Sequence, residues 1–402
     1  MRTARPAILP GLLIAASLAL GGCGLFEAAP RAKATPKRVA EAEEQTPLPV
    51  PPATLGKGPV KVALVLPLTA AGSGAATAAS LRNAAELALS EFDGAPISLM
   101  VEDDRGTADG ARQAAQTALA GGAELVLGPL FAPAVTAAAA AARPAGRPLI
   151  AFSTDVTVAG RGVYLLSFLP QAEVERVLDY AAAQGKRSVA ALVPETPYGA
   201  VSEGQFRAAA SRLGLKIAAV ERYVPGEPGP AIARIAPAIS GATPQADALF
   251  LPESGEGIAE VAASLQSWGF NPARVKPLGT GLWNDPRVLK AAALQGGWFA
   301  APDSAGFAAF AGRYRARFGQ EPARVATLAY DAVSLAAALA RAPAKTRFTD
   351  ATLQNPAGFA GADGIFRFRA DGTSDRALAV FAVRSGAAAV ASPAPKSFAS
   401  GT

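Results

Sequence analysis

The sequence predicts an α/β protein of two lobes, each built on a doubly wound parallel sheet. Three observations carry this. From Val60 onward, short Val- and Leu-rich runs alternate with Ala-rich segments of helical length. The alternation runs once to Phe152 and restarts after Glu173. The apolar runs are continuous rather than alternating, which is what strands covered by helices on both faces require.

In the first lobe, Val60 to Pro67 reads as the leading strand, ended by its proline. Ala78 to Phe92 places Leu81, Ala85, Ala88 and Phe92 on one helical face and stops before Gly94. Ile97 to Val101 is a strand, Thr107 caps a helix that runs to Leu119, and Gly121-Gly122 stop it. Leu125 to Leu127, a helix opened by Pro133 and running to Ala142, and the strand Pro148 to Phe152 complete the repeat.

The second lobe reads as helices Glu173 to Gln184, Ser202 to Leu213, Ile232 to Ile239 and Gly257 to Trp268. Its strands are Ser188 to Val193, Lys216 to Tyr223, Ala246 to Leu251 and Val275 to Leu278. Three helices follow, Pro286 to Leu294, Ser304 to Phe318 and Arg324 to Arg341. A hairpin then runs from Gly364 to Arg369, turns at Asp371-Gly372 and returns from Ala377 to Arg384. The expected organisation is lobe one from 59–168 plus 284–342, lobe two from 169–283 plus 343–388, and a disordered tail over 389–402.

The lead has a different character. Residues 1–22 combine Arg2 and Arg5, an apolar run from Ala7 to Leu20 and a small-residue end, the layout of an export signal and too short for a membrane span. Leu20-Gly21-Gly22-Cys23 then resembles a bacterial lipobox, and Cys23 is the only cysteine of the 402 residues. Lipidation at Cys23 is therefore expected, with residues 23–58, which hold Pro30, Pro36, Pro47, Pro49, Pro51 and Pro52, as the tether to a membrane. Gly24 at the next position resembles lipoproteins sent to the outer membrane, which gives a periplasmic, lipid-anchored location.

Composition excludes several chemistries. There is no histidine and one cysteine, which removes Ser-His-Asp and Cys-His nucleophilic catalysis, the usual zinc sites and any disulfide within the chain. The formal charge of +6 is carried by Lys and Arg scattered singly, without aromatic interleaving, so no nucleic-acid partner is expected. Gly72-Ser73-Gly74-Ala75-Ala76-Thr77 with Glu102 on the next strand loosely resembles a dinucleotide fingerprint, but its third glycine is Thr77. Glu102, Asp103 and Asp104 form an acidic run at a strand end, where helix capping competes with acid-base work. No catalytic residue, cofactor or metal is expected.

In parallel sheets of this kind, loops at the strand C-termini line the ligand cleft. Those loops supply the candidates Ser153, Thr154, Asp155, Tyr198, Glu253 and Trp283, with turn and cap hydrogen bonds as the competing use of the same residues.

The run from Val60 to Arg384 resembles the leucine-binding class of periplasmic receptors, the type I binding-protein fold. The residues that carry the likeness are Val101-Glu102-Asp103-Asp104, Pro197-Tyr198-Gly199, the stretch Thr327 to Val333, Gly364 to Phe368, and Asp371-Gly372. The resemblance implies a three-crossover hinge between the lobes and ligand contacts at Ser153, Thr154 and Tyr198. It also implies hydroxyl and acidic partners for an amino-acid zwitterion, where this chain has Gly128-Pro129-Leu130-Phe131 and Leu282-Trp283. The Gly128-Pro129-Leu130 turn, the lipobox and the tether resemble instead the lipoproteins that activate penicillin-binding proteins in peptidoglycan synthesis. That resemblance implies a non-enzymatic protein whose partner is a peptidoglycan synthase. The alternative is a solute-binding receptor of an ABC transporter for branched-chain amino acids or related small molecules, held in the interlobe cleft.

Overall fold

The computed structural model describes residues 53–398. The expected signal segment, Cys23 and the tether up to residue 52 lie outside the described residues, as do the last four residues of the tail.

Lobe one is a six-stranded sheet in the order β1-β3-β2-β4-β5-β6. Its strands are β1 (Ala53–Leu55), β2 (Val60–Leu66), β3 (Ile97–Asp103), β4 (Leu125–Leu127), β5 (Leu149–Ala151) and β6 (Val163–Leu165). All pair in parallel except β1, which runs antiparallel along the edge of β3 with Ala53 opposite Val101. Helix α1 (Ser73–Glu91) covers one face, and α2 (Ala108–Ala120) and α3 (Ala132–Ala142) cover the other. Because consecutive β2 side chains point to opposite faces, Val62, Leu64 and Leu66 enter one core while Ala63 and Val65 enter the other. Full burial of such a side chain contributes about 1.5–3 kcal/mol.

Lobe two repeats the plan with seven strands in the order β16-β15-β11-β10-β9-β7-β8. Its first elements are α4 (Pro170–Ala183), β7 (Ser188–Pro194), α5 (Pro197–Arg212), β8 (Lys216–Tyr223), α6 (Gly229–Ile239), β9 (Ala248–Phe250), α7 (Gly255–Ser267) and β10 (Lys276–Gly279). Then come α8 (Pro286–Leu289) and β11 (Trp298–Ala301). Phe206 of α5 stacks on Phe250 of β9 at 5.5 Å between ring centres, fixing helix to sheet.

The chain then recrosses. Helices α9 (Ser304–Phe318), α10 (Ala326–Leu339) and α11 (Asp350–Leu353) precede a small antiparallel sheet of β12 (Phe359–Gly361), β13 (Gly364–Phe368) and β14 (Ser374–Arg376). Phe366 and Phe368 join the lobe-one core beside α10 residues. Strands β15 (Ala379–Arg384) and β16 (Ala387–Ser392) complete the lobe-two sheet. The chain therefore passes between lobes three times, after β6, after β11 and after β14, as the type I binding-protein fold requires.

The boundaries differ from the sequence expectation in four places. Residues 53–55 are an edge strand rather than tether. Trp298–Ala301 lies between β10 and β15, so the chain from 284 to 301 belongs to lobe two; no helix-to-strand switch is legible there because the preceding helix is broken at Leu289. The small sheet packs with lobe one because its phenylalanines fill that core, and the expected hairpin splits, β13 pairing with β14 while β15 crosses to pair with β11. Residues 389–392 form part of β16 instead of a frayed tail, since Ala387 to Ser392 pairs along β15.

Candidate functional site

Strand C-termini of both lobes face a cleft of about 870 Å³. Lobe one contributes Leu130 and Phe131 after β4 and Phe152, Ser153, Thr154 and Asp155 after β5. Lobe two contributes Tyr198 from the first turn of α5, and Gly281, Leu282 and Asn284 after β10. The floor is the hinge itself, with Ser167 and Phe168 on the first crossover, Pro302 on the second, and Phe307, Arg324 and Val325 beside it. The wall is mainly aromatic and aliphatic with a few polar groups, the usual composition of a small-molecule site.

Local sequence accounts for the placement. Gly128 sits at φ +84°, and a Cβ there would overlap the carbonyl oxygen of Val65, so only glycine allows β4 to turn away and present Leu130 and Phe131. Thr196 accepts a hydrogen bond from Gly199 N at 3.0 Å, and Pro197 opens α5, which fixes Tyr198 at the helix start.

The polar groups form two sets. Arg324 donates from Nη2 to Asp363 Oδ1 at 2.7 Å and from Nη1 to Oδ2 at 2.9 Å, and Asp363 is fully buried while the Arg324 side chain is 41% exposed. Its guanidinium carbon lies 4.5 Å from the ring centres of both Phe168 and Phe307. Nη1 also reaches Thr327 Oγ1 at 3.5 Å, and Nε and the second Nη2 N–H make no hydrogen bond among the described residues. Behind it, Asp331 Oδ1 accepts from Ala362 N at 2.6 Å, and burial pushes Asp331 up to about 7. The buried Arg376 lies 3.8 Å from Asp331 Oδ2.

On the facing side, Glu173 accepts from Gly281 N at 3.0 Å, and a side chain at 281 would press on that carboxyl. Burial raises Glu173 to about 7, opposed by the Gly281 hydrogen bond and by the Arg324 charge. Tyr198 donates to Thr280 Oγ1 at 2.8 Å, and burial, with the Glu173 charge, pushes its phenol upward.

Of the six candidate cleft residues, Ser153, Thr154, Asp155 and Tyr198 line the cleft together. Ser153 also accepts from Asp155 N at 3.1 Å, and Asp155 caps the short turn at Thr157 N at 2.9 Å, so turn bonding and cleft lining coexist. Glu253 stands apart, bonded to Tyr223 and to Ser254 N. Trp283 is a correction: it is fully buried in the lobe-two core, where its indole donates to Leu251 O at 3.1 Å. Gly279 leaves room for that ring, since a Cβ there would overlap the indole, and Leu282 faces the cleft instead.

The expectation of a cleft without charge partners is also revised, because Arg324, Glu173 and Asp155 lie on its wall. In the sequence pattern Glu173 and Arg324 stand only as helix starts. The one available signal was a charged residue, Arg324, just ahead of a mostly apolar Ala-rich helix.

Residues 59–388 match the family model described as periplasmic binding protein. The chain belongs to the periplasmic binding protein family, with the type I fold. Among similar solved structures is a putative branched-chain amino acid ABC transporter from Rhodospirillum rubrum. It is 23% identical, with a TM-score of 0.71, covering 82% of this chain and 99% of that one. A solute-binding protein of an ABC transporter from Rhodopseudomonas palustris BisB5, in complex with 3,4-dihydroxybenzoic acid, is 20% identical with a TM-score of 0.60, covering 83% and 96%. The branched-chain amino acid transporter substrate-binding protein of Streptococcus pneumoniae, in complex with isoleucine, is 22% identical with a TM-score of 0.58, covering 84% and 100%. No curated protein sequence matches the chain.

Proposed function

We propose that this protein is a non-enzymatic solute receptor of an ABC transporter, and that its cleft takes a small carboxylate with an apolar body, the class that includes branched-chain amino acids. The observation that carries the reading is Arg324, a guanidinium stacked on two phenylalanines at the floor of a largely apolar interlobe cleft. The carboxylate pairs with its free N–H groups, and the apolar body packs on Leu130, Phe131, Phe152 and Leu282. The similarity to binding proteins that hold isoleucine and dihydroxybenzoic acid supports the same reading. Export and lipidation at Cys23, with the lipid seated in the outer membrane, belong to this proposal and rest on the sequence around Leu20 to Gly24.

Activation of a penicillin-binding protein rests on the Gly128-Pro129-Leu130 turn, the lipobox and the Pro-rich tether, and the comparisons favour the receptor. A thermal-shift panel of branched-chain amino acids and aromatic carboxylates tests the choice. The receptor reading expects a rise in melting temperature that grows with ligand concentration. A flat panel combined with capture of a peptidoglycan synthase would reverse the preference.

A further inference from the structure

At the far end of lobe one, opposite the interlobe cleft, a second cavity of about 560 Å³ opens at the N-terminal ends of β5 and β6. Its wall carries Arg143, Arg147 and Arg161. All three are exposed, and among the described residues none of their guanidinium groups has a hydrogen bond or ion pair. Other described arginines, such as Arg212, Arg315, Arg324 and Arg367, are held by carboxylates. Arg143 caps the C-terminus of α3 through its backbone and leaves every side-chain N–H available.

The one carboxylate in the wall, Asp350, accepts a hydrogen bond from Tyr164 at 2.6 Å, so the cavity holds three positive charges against one negative. Phe348, almost fully buried, gives it an apolar floor. We propose that this cavity binds a phosphoryl group. A carboxylate presents two oxygens and one charge and is satisfied by a single guanidinium fork. A phosphate monoester presents three oxygens and nearly two charges, which matches three guanidinium forks on one cavity wall and the net charge of that wall. The site is independent of the interlobe cleft and of its ligand.

The phosphoryl group has two sources, a soluble phosphate or phosphomonoester and the headgroup of a phosphatidate-type lipid, and the experiment separates them. The purified chain is titrated calorimetrically at 0.15 M salt, to screen diffuse attraction, with inorganic phosphate, glycerol 3-phosphate and acetate. It is also sedimented with phosphatidylcholine vesicles containing phosphatidic acid or an equal charge of phosphatidylserine. Saturable binding of the soluble phosphates without vesicle binding assigns the soluble source; preferential sedimentation with phosphatidic acid assigns the lipid. In both cases Arg161→Gln weakens binding about tenfold and the Arg143→Gln/Arg147→Gln/Arg161→Gln variant abolishes it. These exposed, unpaired side chains leave the melting temperature unchanged, which checks folding. Acetate binding as well as phosphate, binding that survives in the triple variant, or no binding of any probe overturns the proposal.

Discussion

Replacing Glu173 by glutamine isolates the most strongly perturbed carboxyl of the cleft. In the folded chain its pKa stands at about 7 against an ordinary 4.5, chiefly because burial penalises the carboxylate. The folded state thus holds the proton more tightly than the unfolded state. Stability from this group is fully present below about pH 4.5 and is lost as pH rises to and through 7. The rise corresponds to on the order of 3 kcal/mol once both states are ionised. Glutamine keeps the acceptor for Gly281 N and cannot ionise. Urea denaturation of wild type and Glu173→Gln at pH 4 and pH 8 measures the effect. Asp331, raised by burial to about 7, titrates in both proteins and cancels in the difference. The two stabilities should agree at pH 4, and the variant should be more stable by on the order of 3 kcal/mol at pH 8. A difference that does not change with pH, or a wild type that gains on the variant at high pH, would refute the argument.

Three further outcomes follow from the geometry. Gly128→Ala forces a Cβ against Val65 O at a positive φ and should cost about 3 kcal/mol in urea titrations. Gly185→Ala, also at positive φ but with open space around it, should cost only about 1 kcal/mol. Trp283→Phe removes one of the two donors to the Leu251 carbonyl, which keeps Glu253 N at 3.0 Å, and shrinks a fully buried side chain, so it should lower stability by about 1–3 kcal/mol while ligand affinity stays at the wild-type value; a lost affinity would return Trp283 to the cleft. Arg324→Met strands the buried Asp363 carboxylate and should cost about 3 kcal/mol, at least half of it recovered in Arg324→Met/Asp363→Asn, and a double variant no more stable than the single would show that the pair is not coupled.

What sequence could and could not reveal divides along physical lines. Most inner strands were legible because continuous apolar runs such as Val62 to Leu66 have few other uses, though β11 at Trp298–Ala301 was not, and the helix cap at Thr107 because a short polar side chain at that position has a mechanism. The edge strands β1, β6 and β16 were not legible, since Ala53–Leu55, Val163–Leu165 and Ala387–Ser392 are short or alanine-rich and are defined by the neighbours they pair with. In the cleft, Ser153 to Asp155 and Tyr198 followed from the rule that strand C-termini face the ligand. Arg324 reaches the same space from the start of α10 after the chain has recrossed to lobe one, which no local pattern encodes. The choice between Leu282 and Trp283 turned on a single peptide: Gly279 admits the indole to the core and leaves its smaller neighbour facing the cleft.

Calorimetric titration of the purified chain with leucine, isoleucine and benzoate, in parallel with the Arg324→Met/Asp363→Asn variant, tests the receptor directly. The expected result is saturable one-to-one binding of at least one carboxylate, with a negative heat-capacity change from burial in the apolar cleft and loss of at least tenfold in affinity in the variant. Isotherms that stay flat at millimolar ligand, or an affinity indifferent to the loss of Arg324, would contradict it.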